Sequence, residues 1–147
     1  MAIYLLKKSY QLKDLKEVKF KDLWGDHGVF TTMWIYGSPT KILFFKEHIR
    51  NLVNSIKVYK IFKSSIKSDI LKLLKKNLNT KKKYNHLLRV ALNKNIISIS
   101  LRKRIKPSLN FNLNLVNLKR QKPEFKNLKY KKILRYLSKL DNSKSDI

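Results

Sequence analysis

The apolar residues of this chain change period more than once, and that constrains the fold more than any other feature of the sequence. Residues 29–36 (VFTTMWIY) are β-branched and aromatic and read as a buried strand. Gly37-Ser38-Pro39 is a turn signal, and 40–45 (TKILFF) reads as the returning strand, so 29–45 is expected to form a hairpin. From residue 46 the spacing becomes helical. Ile49, Leu52, Val53 and Ile56 share one face over 46–59, and Ile66, Ile70, Leu71, Leu73 and Leu74 repeat the pattern over 65–77, with Ser64 or Ser65 as N-cap. The period then returns to two. Residues 86–92 (HLLRVAL) and 96–102 (IISISLR) flank Asn93-Lys94-Asn95, a short hairpin loop. Residues 111–118 (FNLNLVNL) alternate apolar residues with Asn, as a half-exposed strand does. After Pro123, residues 127–140 predict a last amphipathic helix carrying Leu128, Ile133, Leu134 and Leu137, and the tail from Asn142 has no pattern. This order predicts an α+β fold, a mostly antiparallel sheet with two helices on one face.

At 147 residues the chain has the length of about one domain, and 43% hydrophobic content is enough for a packed core. It has no Cys, which excludes disulfides, thiolate metal sites and cysteine nucleophiles, and three His leave little for a metal cage. No metal is expected. No Ser–His–Asp set is visible either. No apolar stretch approaches the roughly 20 residues of a membrane span. The opening Met1–Leu6 is followed by Lys7-Lys8, the wrong order for a signal peptide, so no membrane partner and a cytoplasmic address are expected. The net charge is +26, but 29 of the 35 basic residues are Lys, scattered along the polar sides of amphipathic segments. Lys81-Lys82-Lys83 and Arg102-Lys103-Arg104 are the densest runs, and the aromatics near them lack the spacing of a known nucleic-acid module. The charge therefore reads as a solvated surface and argues against nucleic acid as a specific partner.

Residues 24–58, WGDHGVFTTMWIYGSPTKILFFKEHIRNLVNSIKV, resemble the small domain of the class IV aminotransferases, the fold-type IV pyridoxal-phosphate enzymes. Members carry Gly-x-Phe, then Glu or Thr, then Thr or Gly, followed by a hairpin and a His-x-x-Arg-Leu-x-x-Ser helix. Gly28-Val29-Phe30-Thr31-Thr32 matches the first phrase, and His48, Leu52 and Ser55 keep the spacing of the second. The Phe-Thr-Thr form is most similar to the aminodeoxychorismate lyase branch. Further on, KPEFKNLKY (122–130) resembles the family's Pro-x-x-Lys-x-Leu-Asn-Tyr segment, with Pro123, Leu128 and Tyr130 in register.

The resemblance implies a pyridoxal 5′-phosphate enzyme, an aminotransferase or lyase acting on a small amino substrate. Lys126 would be the Schiff-base lysine and proton shuttle, Tyr130 a cofactor-binding phenol, and Arg89 the holder of a substrate carboxylate. Two departures stand out. The family's phosphate-binding Arg falls on Asn51, with Arg50 one residue early and about 100° round the helix. The second domain, which supplies a Glu for the pyridine nitrogen and amides for the phosphate, is not among these residues. The expected organisation is a small α+β domain over 1–120 and a lysine segment opening a second domain over 121–147. An incomplete chain is expected, partnered by the missing domain or a homodimer mate. It should leave apolar surface uncovered around Phe30, Trp34, Val90 and Ile97. Two alternatives stay open: a basic α+β module that binds RNA or another polyanion without catalysis, and a structural remnant that pairs with another chain.

Overall fold

A computed structural model describes residues 3–61, 63–119 and 121–146. Met1, Ala2, Phe62, Arg120 and Ile147 lie outside the described residues, including the position at which the sequence was divided into 1–120 and 121–147.

The chain forms an α+β structure around one six-stranded antiparallel sheet of order β2-β1-β6-β5-β3-β4. Its strands are β1 (Tyr4–Gln11), β2 (Glu17–Val18), β3 (Gly28–Gly37), β4 (Lys41–Ile42), β5 (Tyr84–Asn93) and β6 (Ile96–Lys103). Three helices, α1 (Phe45–Val58), α2 (Ile66–Asn77) and α3 (Lys131–Leu137), and a parallel pair of β7 (Asn112–Leu113) with β8 (Ser145–Asp146) complete it. Among the described residues no helix is long and apolar enough to cross a membrane.

Side chains alternate across a strand, so each central strand contributes to two faces. Val29, Met33 and Ile35 of β3, Leu88, Val90 and Leu92 of β5, and Ile97, Ile99 and Leu101 of β6 point to one face. There they form a single core with the buried stripe of α1 (Ile49, Leu52, Ile56) and of α2 (Ile66, Ile70, Leu73, Leu74). Both long helices therefore cover the same face. The opposite face carries a smaller cluster of Leu23, Phe30, Ala91 and Leu128, with Trp24 and Tyr130 packed against it.

Two connecting segments are tied to that second face. Residues 21–26 cross it: Ser98 Oγ donates to the Lys21 carbonyl (2.7 Å), and the Lys21 amide donates to Ser9 Oγ (2.9 Å). Residues 126–128 extend the edge of β3. The Phe30 amide donates to the Lys126 carbonyl (2.8 Å), and the Leu128 amide donates to the Gly28 carbonyl (2.9 Å). A Cβ at Gly28 would run into the Leu92 carbonyl and the Leu128 side chain, so only glycine lets strand and segment approach this closely.

Several expectations are corrected. The returning strand over 40–45 is only Lys41–Ile42, because Phe44 turns into the left-handed region (φ +50°) and α1 begins at Phe45. The strand over 111–118 shrinks to Asn112–Leu113 outside the main sheet, because β1 already occupies the free edge of β6. Its leucines accordingly find no surface to bury; Leu113 and Leu115 are exposed. The helix over 127–140 shortens to Lys131–Leu137, since Asn127 and Leu128 are spent on pairing with β3. Ser65 does sit at the N-cap of α2, but its hydroxyl bonds the Asp69 carboxylate (2.8 Å) and caps no backbone amide. β1 and β2 were not foreseen. The expected uncovered apolar patch is closed at three of its four named positions: Val90 and Ile97 lie under the helices, and Phe30 is covered by Trp24 and Tyr130, while Trp34 stays half-buried on the other face.

Leu128 is fully buried beneath the segment that it anchors. Leu128→Ala should cost about 2–5 kcal/mol of stability by urea unfolding, as large-to-small changes in packed sites do. Leu115→Ala, at a fully exposed position, should change it by less than about 0.5 kcal/mol. Equal effects would show that 126–128 is not held against the sheet.

Candidate functional site

The second face of the sheet is where the chemistry-bearing residues meet. Register places Thr32, Arg89, Ser100 and Lys7 in one cross-strand row, with Trp34, Leu87 and Arg102 in the next. A cleft of about 650 Å³ opens over these rows. Lys126, Tyr130, Trp24 and Phe30 line one side, and α3 and β8 contribute Leu134, Leu137 and Asp146 on another.

Each wall has a local cause. Lys126 is exposed, and its backbone is fixed by the bond to Phe30, so its side chain starts from the β3 edge of the cleft. Tyr130 is half-buried, with its ring 5.6 Å from that of Trp24 in a stacked arrangement and 5.2 Å from that of Phe30, edge to face. Trp24 and Phe30 also pack edge to face at 4.9 Å, so the three rings hold one another in place. The Arg89 guanidinium lies 4.2 Å from the centre of the Trp24 ring and donates to the Asp22 carbonyl (2.7 Å). Burial, above all, pushes the Arg89 pKa down from its ordinary value. The charge of Arg102 pushes the same way, and Tyr4 and Asp22 oppose. Arginine remains charged through such a shift, so the cleft floor is cationic.

His48 opens α1 on the other side of β3. Its Nδ1 is 2.8 Å from Thr31 Oγ1 in a part-buried pairing. Burial holds its pKa below the usual value, the Lys126 charge lowers it further, and Glu47 raises it. The imidazole is therefore neutral near neutral pH, and its ring is oriented by Thr31. Asn51 and Arg50, where the family resemblance looks for a phosphate anchor, are both exposed, and the Asn51 carbonyl accepts from Ser55 Oγ (2.8 Å). No cluster of three or more His, Cys, Asp or Glu that could hold a metal occurs among the described residues.

Lys126, Tyr130 and Arg89, singled out in the sequence, thus share one cleft; Asn51 does not line it. Arg102, Ser100, Thr32 and Trp24 were not singled out. For Ser100 and Arg102 the signal is the period of β6 (IISISLRK), which sends Ser98, Ser100 and Arg102 to the face opposite the core, and it acquires meaning only with the register of β5 against β6. No family model matches this chain, and no curated protein matches it.

An unfolded His titrates near 6.5, and folded His48 does so at lower pH. Between the two the unfolded chain binds more protons, so this group removes stability as pH falls through 6.5, and the loss is complete below the folded pKa. An NMR titration should show a His48 midpoint below that of a free imidazole, and Lys126→Gln should raise it while burial still keeps it depressed. A midpoint unmoved by Lys126→Gln would place that ammonium away from α1.

Proposed function

We propose that this cleft takes pyridoxal 5′-phosphate and a small amino substrate, in a class IV aminotransferase or lyase of which aminodeoxychorismate lyase-like chemistry is the favoured form. The single observation that supports the reading is the convergence of Lys126, Tyr130 and Arg89 on one cleft, although β5 and the segment before α3 are far apart in sequence. A cation-rich cleft holding an amine, a phenol and a guanidinium suits an anionic cofactor bearing an aldehyde. The residues fit its aldehyde and ring; position 51 does not supply the phosphate anchor that the resemblance assigns there.

When bound, the cofactor supplies an electron sink for the carbon beside the substrate nitrogen. The chain's own residues do the rest. Lys126 offers the amine that holds the aldehyde carbon and carries the proton between substrate carbon and solvent. Tyr130 donates its hydroxyl proton to the phenolic oxygen of the cofactor ring, and the Trp24–Phe30–Tyr130 cluster keeps water off that side. Arg89, braced by Trp24 and Asp22, holds the substrate carboxylate through paired N–H donors.

Titration with pyridoxal 5′-phosphate should develop the visible absorbance of a lysine-linked cofactor, strengthened when a class IV second domain is supplied in trans. Lys126→Ala should abolish it. Tyr130→Phe should weaken binding by about tenfold to a hundredfold, the worth of one hydrogen bond to a charged oxygen. A band of equal strength in Lys126→Ala would overturn the assignment.

A further inference from the structure

The two densest basic runs of the sequence, Lys81-Lys82-Lys83 and Arg102-Lys103-Arg104, meet at one end of the sheet. The register sets His86 opposite Lys103, and the Arg104 amide donates to the Asn85 carbonyl (3.3 Å), continuing the ladder past the end of β6. The turn between β3 and β4 closes on the same end, because Thr40 Oγ1 donates to the carbonyls of Thr80 (3.1 Å) and Lys82 (3.3 Å). Burial, above all, pushes the His86 pKa below its ordinary value, and the charges of Lys82 and Lys103 push the same way, so both runs bear on one point. Residues 27–46 and 70–123, which build this end, contain no Asp or Glu. None of its cations forms an ion pair among the described residues.

Aromatic rings supply an independent observation. Alternation along β3 puts Trp34 and Tyr36 on the face opposite the core. Their rings lie 4.6 Å apart at 32°, and the Arg104 guanidinium lies 4.6 Å from the centre of the Trp34 ring. The indole N–H of Trp34 donates to Asn85 Oδ1 (3.0 Å), and Tyr36 pairs directly with Lys41 of β4. Both rings are only half-buried, so they present aromatic surface to solvent between Lys41 and Arg104. That distance is three inter-strand steps, about 14 Å. None of these residues lines the cleft of Arg89 and Lys126.

We propose that this end of the sheet binds a single strand of nucleic acid, a few nucleotides long, without reading its sequence. Bases stack on the Trp34–Tyr36 pair, while Lys41, Arg104 and the 81–83 turn neutralise phosphates. Cations alone would take any polyanion; the rings add a preference for one that carries bases, since every base has a face to stack. Nothing in this site requires a cofactor or Lys126, so it is a second function, separate from the cleft.

The experiment is an NMR titration of the full chain at fixed ionic strength, following the Trp34 indole N–H. The probes are a ten-nucleotide oligouridine, an oligodeoxythymidine of the same length and inorganic polyphosphate of ten units. At least one oligonucleotide should bind, and the tighter of the two identifies the sugar backbone that the site prefers. Tyr36→Ala should weaken oligonucleotide binding by about fivefold to a hundredfold, the worth of one stacked base, and polyphosphate binding by less than about twofold. Tyr36→Phe, which keeps the ring, should retain the native affinity. Arg104→Gln should reduce the slope of log affinity against log salt by about 0.7, the share of one phosphate on a single strand. Lys57→Gln removes a charge from α1, on the other face, and should leave affinity within about twofold. Four results would each overturn the proposal: no binding of either oligonucleotide, binding unmoved by Tyr36→Ala, equal loss in Tyr36→Phe, or polyphosphate weakened as much as the oligonucleotide. A loss in Lys57→Gln equal to that in Arg104→Gln would do the same, since it would show a diffuse charge effect and no site.

Discussion

The ten-residue pairing of β3 with β5, from Gly28 opposite Asn93 to Gly37 opposite Tyr84, is the constraint on which the rest depends. It sorts the residues of both strands by parity. Val29, Met33 and Ile35 meet Leu92, Leu88 and His86 on the helix side; Phe30, Thr32 and Trp34 meet Ala91, Arg89 and Leu87 on the other. A slip of one residue would turn Arg89 into the core and the leucines into the cleft, so burial itself enforces the register. Gly28 reinforces it, since no other residue fits between the Leu92 carbonyl and Leu128.

From that register follows the division of labour between the faces. The helix side is dry and apolar, and it supplies stability. The other side is only partly closed, by the crossing segment at 21–26 and the pairing of 126–128 with the β3 edge. What stays open is a polar row flanked by aromatic rings. The same backbone bonds that close the edge also set Lys126 beside the cleft, so the packing of Leu128 and the position of Lys126 are consequences of one arrangement.

Much of this was legible in the sequence. The core strands and the two long helices announced themselves through strong periodicity, and their observed bounds fall within about two residues of the expected ones, the usual uncertainty of helix and strand ends. The N-terminal strand was missed because Lys7-Lys8 breaks its apolar run, and β1 is legible only as the partner of β6. The alternation at 111–118 misled in the opposite sense, because a period of two demands an edge to pair with and the β6 edge was already occupied. In the cleft, residues flanked by a pattern (Lys126, Tyr130) or placed as a lone charge on an apolar strand (Arg89) could be picked out. Ser100 and Arg102 could not, because a serine and an arginine near a strand end look like ordinary surface until the register sets them beside Arg89.

The central claim is that one lysine among 29 is set apart by where the fold puts it, at the mouth of a cationic cleft beside an aromatic cluster. Charge alone cannot distinguish it, since lysines are spread over the whole chain. Borohydride reduction after exposure to substoichiometric pyridoxal 5′-phosphate, followed by peptide mapping, reads the distinction residue by residue. The account predicts label concentrated on Lys126. Label spread over the exposed lysines in proportion to their accessibility would contradict it.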